Sequence, residues 1–244
     1  MRADVYLTVA EAEQAGIGPQ VTAVVIDVLR ATSTMVAALA AGAKAIYPAV
    51  SSEDALKLAQ SLGRDDTLLC GERRGLKVEG YDLGNSPREF TPAVVGGKRL
   101  VMSTTNGTRA FQVAQAAQRV LVASFLNLGA AAEALGGSTA VAILCAGRLD
   151  LFSLEDAVCA GTLLRRVEQI TGQGVETNDA GRAALALASA TRVTPSFLAE
   201  TDAGRALAEI GLEDDLELCA QVDRHGIVPE MYERMIRVTD GAGD

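Results

Sequence analysis

A short polar turn near residue 30 carries the first side chains that are suited to catalysis. Asp27 ends an apolar run, and Arg30, Thr32 and Ser33 follow it before an alanine-rich segment. A carboxylate at the end of a buried strand can hold a metal ion, act as a nucleophile or cap the next helix. An arginine beside the free amides of a helix N-terminus forms an anion site. This turn therefore predicts anion and metal chemistry, and it leaves the capping role of Asp27 open.

A second polar turn combines hydroxyl and amide side chains with a glycine. Its residues are Ser103, Thr104, Thr105, Asn106, Gly107 and Thr108. A glycine lets the backbone approach a ligand closely, and neighbouring backbone amides can surround phosphate oxygens. The spacing matches neither the P-loop nor the dinucleotide-binding fingerprint. The turn predicts a phosphate site, with a cluster of helix-capping residues as the alternative.

Acidic side chains occur at two further places. Glu155 and Asp156 stand at the start of a predicted helix, where a carboxylate suits either Mg²⁺ coordination or simple capping. Glu72 and Arg73 begin the segment 71–97, which is rich in glycine, proline and charge. A loop this long inside a compact domain is usually functional or disordered. Its spaced apolar residues favour an ordered loop that forms part of a site.

The polar turns follow apolar, β-branched runs that predict buried strands. These runs cover residues 21–28, 99–103, 119–123 and 140–145, and the third leads into a turn that begins at Ser124. Loops that leave the carboxyl ends of parallel strands lie at one edge of an open sheet. We therefore expect the polar turns to meet in one crevice.

The alternation of strand-like and helix-like segments predicts an α/β fold. We expect a mainly parallel sheet with flanking helices, in three layers, joined by right-handed crossovers. After Gly174, consecutive helix-like segments predict a helical C-terminal region, with a short final strand at 227–229.

The chain is expected to form a single α/β domain over residues 1–244. Segments 24–49 and 100–124 share the order strand, threonine-rich turn, alanine-rich helix and strand. This weak similarity leaves open two similar α/β halves, with sub-lobes at 1–97 and 98–244.

Composition excludes several functional classes. The chain has a net charge of −9 and no basic run, so we expect no binding to nucleic acid or to anionic membranes. No apolar run approaches the roughly 20 residues that span a bilayer, and the N-terminus lacks a signal-peptide pattern. We expect a cytoplasmic protein. The four cysteines form no C-x-x-C pair and are expected to be buried thiols, and the single His225 cannot supply a histidine-rich zinc site.

Taken together, these stretches resemble the magnesium-dependent 2-phosphosulfolactate phosphatases. The most specific match is the run G-E-R-R-G-L-K-V-E-G-Y-D-L-G-N-S-P at residues 71–87, and the resemblance spans nearly the whole chain. It implies an α/β fold and hydrolysis of (R)-2-phospho-3-sulfolactate to 3-sulfolactate and phosphate, with Mg²⁺. In methanogens this reaction belongs to coenzyme M biosynthesis. The family also occurs in organisms that do not make coenzyme M, so the physiological substrate stays open.

With that chemistry in view, Asp27, Glu155 and Asp156 are expected to hold the metal. Asp27, Arg30, Glu72 and Arg73 form the expected catalytic set, in which the arginines bind anionic oxygens. Whether Asp27 also activates water or acts as the nucleophile stays open. The expected substrate-binding residues are Thr32, Ser33, Ser103, Thr104, Thr105, Asn106, Gly107, Thr108 and Ser124.

The expected partner is a small anionic phosphate ester, and the expected assembly is a homodimer. Two alternatives remain at this stage. The first is a phosphatase of the same mechanism that acts on another small organic phosphate. The second is a non-catalytic protein that binds an organic phosphate. Phosphoryl transfer depends mostly on positioning and charge neutralisation, so Mg²⁺, arginines and amides suffice for it without histidine or cysteine.

Overall fold

The computed structural model describes residues 1–105 and 107–238, which form one ten-stranded sheet packed against helices. The strands are β1 (Arg2–Tyr6), β2 (Thr22–Ile26), β3 (Ala45–Pro48), β4 (Thr67–Arg73), β5 (Leu76–Lys77), β6 (Arg99–Ser103), β7 (Arg119–Ala123), β8 (Ala140–Cys145), β9 (Pro229–Tyr232) and β10 (Met235–Val238). The helices are α1 (Val9–Ala15), α2 (Ala31–Ala40), α3 (Ser52–Leu62), α4 (Pro92–Val95), α5 (Gly107–Ala114), α6 (Leu128–Leu135), α7 (Leu154–Thr171), α8 (Asp179–Ala190), α9 (Pro195–Ala199), α10 (Asp202–Glu209) and α11 (Asp215–Cys219). Across the sheet the order is β1-β8-β2-β7-β9-β10-β3-β6-β4-β5.

The sheet consists of two parallel groups joined by a hairpin. β1, β8, β2 and β7 run parallel to one another, and so do β3, β6 and β4. β9 is antiparallel to β7, β10 to β9, and β3 to β10. These successive reversals make the two groups run in opposite directions. The mainly parallel sheet is confirmed. However, the carboxyl ends of the strands lie at a common edge only within each group, and not across the whole sheet.

The strand β2 shows how the sheet separates two cores. Val24 and Ile26 point into a core formed with α6, α7 and α8. Ala23 and Val25 point to the opposite face, into a core formed with α1, α2 and α5. Successive side chains of a strand alternate between faces, so a continuous apolar run such as this one is buried on both sides. The three-layer arrangement that the sequence predicts is therefore confirmed.

The two ends of the chain differ from the sequence prediction. β1 and α1 were not expected, because the alternation of buried and accessible residues in β1 is brief and contains two charged side chains. The helical C-terminal region is present as α8 to α11. The short final strand expected at 227–229 is instead the hairpin β9–β10, which begins two residues later and inserts between the parallel groups.

Strands from both of the expected sub-lobes are mixed within the sheet. β2 pairs with β7 and β8, and β6 lies between β3 and β4. Residues 1–97 and 98–244 therefore contribute to common cores, and the division into sub-lobes stays a prediction. Within the described ranges, no helix is both long enough and apolar enough to cross a membrane.

Candidate active site

Asp27 occupies the turn between β2 and α2 and has two functions there. Its Oδ1 accepts a hydrogen bond from the Ala31 amide at 3.2 Å, so one carboxylate oxygen caps α2. The Thr32 hydroxyl accepts from the Asp27 amide and donates to the Asp27 carbonyl, both at 2.9 Å. Oδ2 of Asp27 has no hydrogen-bond partner among the described residues, and the side chain lines a cavity. Asp27 therefore caps α2 with one carboxylate oxygen, while the other makes no hydrogen bond to the described residues.

The turn that precedes α5 lies against the start of α2. A Cβ atom added to Gly107 would lie 2.7 Å from the Ala31 Cβ and 3.0 Å from Asp27 Oδ2. A side chain cannot fit there, so the glycine allows the two helix starts to touch. Thr104 and Thr108 each accept the other's backbone amide at 3.3 Å, which fixes this turn. This contact brings the carboxyl ends of the two oppositely directed strand groups together.

Glu72 connects the loops that follow β4 and β6. Its Oε1 accepts from the Thr105 amide at 2.6 Å, and its Oε2 accepts from the Gly75 amide at 2.7 Å. Arg73 points to β6, where its guanidinium donates to the Ser103 hydroxyl at 2.7 Å. Glu72 lines the cavity, whereas Arg73 holds the end of β6 in place.

Arg30 is anchored by a carboxylate from the C-terminal helical region. Its guanidinium donates to Asp215 at 2.7 Å and to the Gly75 carbonyl at 2.6 Å. Ser86 donates to the other oxygen of Asp215 at 2.5 Å. The Arg30 and Asp215 side chains are only 3% and 1% exposed. Arg30 and Asp215 are 185 positions apart, so spacing along the sequence gave no signal that they form a pair.

These residues surround a cavity of about 450 Å³. Five of its lining residues were expected from the sequence: Asp27, Arg30, Glu72, Thr104 and Thr105. The others are Leu29, Arg74, Gly75, Asn85, Arg148, Leu149, Ala203, Ala206, Leu207 and Ile210. Asn85 is 4% exposed, and its Oδ1 has no hydrogen-bond partner in the described part of the chain.

The other expected substrate-binding side chains do not line this cavity. Thr32 and Ser33 are fully buried, and the Ser33 hydroxyl donates to the Val28 carbonyl at 2.8 Å. Ser103, Gly107 and Thr108 lie directly behind the lining, in the second polar turn. Their role in substrate contact stays a prediction.

Ser124 and Asn106 are the remaining residues that the sequence predicted to bind substrate. Ser124 follows β7 and caps the short 3₁₀ turn that comes next, where its Oγ accepts the Leu126 amide at 3.3 Å. It does not belong to the lining of the cavity. Asn106 lies outside the described residues.

The carboxylates at the start of α7 lie behind Asp27. Asp156 accepts from the Val28 amide at 2.8 Å and the Gly147 amide at 3.1 Å, so it ties the ends of β2 and β8 together. The side chains of Thr201 and Ser153 partly offset the rise that burial causes in the pKa of Glu155. Neither residue lines the cavity. Their part in metal binding stays a prediction.

Burial and mutual repulsion raise the pKa values of the carboxyl groups around Asp27. Burial raises the pKa of Asp27 to about 7, and the charges of Glu72 and Glu155 contribute to the rise. Burial also raises the pKa of Glu155, and raises that of Asp156 well above its ordinary value with help from the Glu155 and Asp27 charges. Carboxyl groups in this state would release their protons more readily beside a bound cation.

Cysteine chemistry does not contribute to this site. All four cysteines are buried and free of disulfides, as expected from the sequence. Burial raises the pKa of each thiol, so none is activated as a thiolate nucleophile.

Comparison with known proteins identifies the family. The model of the 2-phosphosulpholactate phosphatase family matches residues 6–234. The chain belongs to this family. It is 42% identical to a probable 2-phosphosulfolactate phosphatase of Symbiobacterium thermophilum, over 88% of this chain and 92% of the relative. It is 39% identical to a protein of that name in Clostridium acetobutylicum, over 86% and 88% of the two chains. The resemblance seen in the sequence motifs is therefore confirmed.

The cavity of this family member has oxygen donors that fit a magnesium ion. Among the described residues, no three or more His, Cys, Asp or Glu side chains form a complete metal-binding group. Mg²⁺ does not require one, because it usually binds one or two carboxylates together with water and substrate phosphate. Asp27 and Asn85 both line the cavity and offer hard oxygen donors. Asn85 Oδ1 is buried without a partner among those residues, and the one hydrogen bond that the Asp27 carboxylate accepts from them uses Oδ1 and not Oδ2. A buried, unpaired amide oxygen is costly unless it binds something.

Proposed function

We propose that this protein is a Mg²⁺-dependent phosphatase that hydrolyses (R)-2-phospho-3-sulfolactate to 3-sulfolactate and phosphate. Membership of the family supports the reaction class. The observation that carries the site assignment is the shared cavity of Asp27 and Arg30, in which Asp27 has a free carboxylate oxygen.

In this proposal, Asp27 and Asn85 would hold the metal, with Glu155 and Asp156 as the buried acidic groups behind them. Bound Mg²⁺ would neutralise charge on the phosphoryl oxygens. Arg30 would donate to the same phosphoryl group from a position fixed by Asp215. Glu72 would keep Thr105 and the loop after β4 in place around the substrate.

The nucleophile has two candidates, water and the Asp27 carboxylate. In a direct attack, the water oxygen bonds to phosphorus as the ester oxygen leaves, so the configuration at phosphorus is inverted. In the other route, an aspartyl phosphate forms and is then hydrolysed, and the two displacements retain the configuration. A substrate with a stereogenic thiophosphoryl or isotopically chiral phosphoryl group distinguishes these routes.

The test is a phosphate-release screen with and without Mg²⁺. The substrates are phosphosulfolactate, phosphoglycolate, phospholactate and the phosphoglycerates. Asp27→Asn should abolish turnover, because it removes the charge but keeps the side-chain shape. Asp65→Asn is the control, since Asp65 is exposed and does not line the cavity. Near wild-type activity of the Asp27 variant would refute the site assignment.

Other outcomes of the screen select the alternatives. Faster hydrolysis of a different ester would identify another natural substrate for the same mechanism. Binding without turnover would indicate a non-catalytic protein. A cytoplasmic location, a homodimer and a place in coenzyme M biosynthesis are further parts of the proposal. Analytical ultracentrifugation tests the dimer.

A further inference from the structure

We propose that Arg74 and Arg148 form an anion subsite that selects phosphate esters with a second charged group, a sulfonate or a carboxylate. This inference rests on the proposed function of the same cavity and assigns it two specificity-determining residues. Both arginines line the cavity that contains Asp27 and Arg30. The phosphoryl group and the second anion would then contact different side chains.

Three other arginines in or beside the polar turns already have a partner in the protein. Arg30 and Arg109 form ion pairs with carboxylates, and Arg73 donates to a serine hydroxyl and to backbone carbonyls. Within residues 1–105 and 107–238, the side chains of Arg74 and Arg148 make no hydrogen bond or ion pair. Arg74 is exposed and Arg148 is half-buried, so both guanidiniums are accessible to an anion with several oxygens, which would bind them through bidentate hydrogen bonds.

The backbone holds Arg74 in a tight two-residue turn. Arg73 pairs with Leu76 across the hairpin of β4 and β5, which leaves Arg74 and Gly75 at its tip. Both tip residues have positive φ, 53° for Arg74 and 84° for Gly75. Asparagine, aspartate or glycine is the usual choice at the first of these positions. An arginine there is strained, and such strain is characteristic of functional sites.

Arg148 is held by a second turn of the same kind. Arg148 and Leu151 exchange two backbone hydrogen bonds, both at 3.0 Å. The two residues between them, Leu149 and Asp150, have φ values of 53° and 61°. Asp150 is in turn tied to Arg109. Two turns that each place an unusual residue, Arg74 or Leu149, at positive φ therefore fix the two arginines at one cavity.

The carboxylates of the lining are not available to neutralise these arginines. Both carboxylate oxygens of Glu72 accept hydrogen bonds from backbone amides, those of Thr105 and Gly75. One Asp27 oxygen caps α2, and the other is the proposed metal ligand. Arg30 adds no free positive charge, because Asp215 balances it. The remaining lining has two arginines against two carboxylates, and a Mg²⁺ ion at Asp27 would make its net charge positive.

An apolar wall completes the subsite and limits its size. Ala203, Ala206 and Leu207 of α10 line the cavity, as does Ile210 directly after this helix. A Cβ atom on Gly75 would lie 2.7 Å from Ile210 Cδ1, so the wall packs closely against the Arg74 turn. A compact ligand with two anionic ends fits this arrangement better than a large nucleotide.

The test measures selectivity for the second charge. Phospholactate and its carboxyl methyl ester differ in one negative charge, and both carry the same phosphoryl group. We expect the wild type to prefer the charged ester, and each arginine to contribute about 10- to 100-fold in kcat/KM, the range for a charge-assisted hydrogen bond. Arg74→Ala, Arg148→Ala and the double variant should lose this preference, while kcat/KM for the methyl ester stays within about twofold.

Arg192→Ala is the matched control. Arg192 is exposed, lies outside the cavity lining and carries the same charge, so its loss should leave the preference unchanged. An unchanged preference in the Arg74 and Arg148 variants would overturn the subsite. So would an equal loss with both esters, because that result indicates a general effect on the active site.

A binding measurement separates this inference from the proposed activity. Isothermal titration calorimetry with 3-sulfolactate should show binding by the wild type and a loss of at least about 10-fold in the arginine variants, with inorganic phosphate binding retained. If no ester is hydrolysed but sulfolactate binding depends on the arginines, the subsite is supported and the phosphatase proposal fails. If the wild type does not bind sulfolactate, or if the arginine variants bind it with unchanged affinity, the subsite is refuted.

Discussion

Replacing Asp215 by asparagine is expected to destabilise the protein strongly. The substitution leaves the Arg30 guanidinium in the interior, where that side chain is 3% exposed, without a compensating charge. The asparagine can still accept the Ser86 hydroxyl. The experiment therefore isolates the loss of charge from the loss of a hydrogen-bonding group.

The expected magnitude follows from burial. Removing one partner of a buried ion pair costs about 3–5 kcal/mol. The neighbouring residue Asp214 pairs with Arg88, and these side chains are 71% and 52% exposed. Exposed pairs contribute about 0–1 kcal/mol. For a chain of this size, 1 kcal/mol shifts Tm by about 2–4 °C, so we expect a fall of about 6–20 °C for Asp215→Asn and of about 4 °C or less for Asp214→Asn.

Thermal unfolding and urea titration measure the difference. The urea midpoint should fall for Asp215→Asn while the slope of the unfolding free energy stays constant. The double variant Arg30→Met, Asp215→Leu should recover much of the stability, because replacing both charges of a buried pair is often neutral or stabilising. Equal effects of the Asp214 and Asp215 substitutions, or no recovery in the double variant, would refute the role of the buried pair.

Three further predictions concern the active site. The pKa of Asp27 is raised from 3.8 to about 7, so between these pH values the folded metal-free protein binds a proton that the unfolded chain lacks. The free energy of unfolding of the wild type should therefore fall relative to that of Asp27→Asn as pH rises from about 4 to about 7, by up to about 4 kcal/mol. Urea titrations at pH 4.5 and 8 check this. A difference that does not change with pH would contradict it. Mg²⁺ should raise Tm of the wild type at pH 8 by mass action and leave Asp27→Asn unchanged; equal shifts in a thermal melt would place the ion elsewhere. Gly107→Ala should lower the free energy of unfolding by about 1–3 kcal/mol, because the added Cβ overpacks against Ala31. The control Gly137→Ala should change it by less than about 0.5 kcal/mol, because nothing lies within 4 Å of its added Cβ. Similar urea midpoints for the two variants would argue against the close contact of α2 and α5.

The internal strands were the easiest elements to predict. The bounds of β6, β7 and β8 agree with the sequence prediction at both ends. Each is an apolar, β-branched run between polar turns, and each is buried on both faces of the sheet. The hairpin β9–β10 was not predicted, since its register depends on pairing with distant strands.

The site was predictable in its residue types but not in its orientation. The first polar turn indicated Asp27 and Arg30, and the segment 71–97 indicated Glu72; all three line one cavity. Thr32 lies in the same turn, but its hydroxyl is used by the backbone of Asp27. Asn85 belongs to the family-like run of residues 71–87, yet nothing in that run indicated that its amide oxygen would be buried and unpaired.

The sequence by itself determined the class of fold, the family and most of the polar turns that line the cavity, because periodicity, capping residues and a long specific motif are all local properties. Only the tertiary structure decided which side chains meet. Arg30 is fixed by Asp215, and Gly107 permits contact between two helix starts that follow oppositely directed strand groups. These contacts join positions far apart in the chain, and they depend on packing that no local pattern records. That Arg74 and Arg148 line the cavity without a partner among the described residues is likewise visible only in the folded structure.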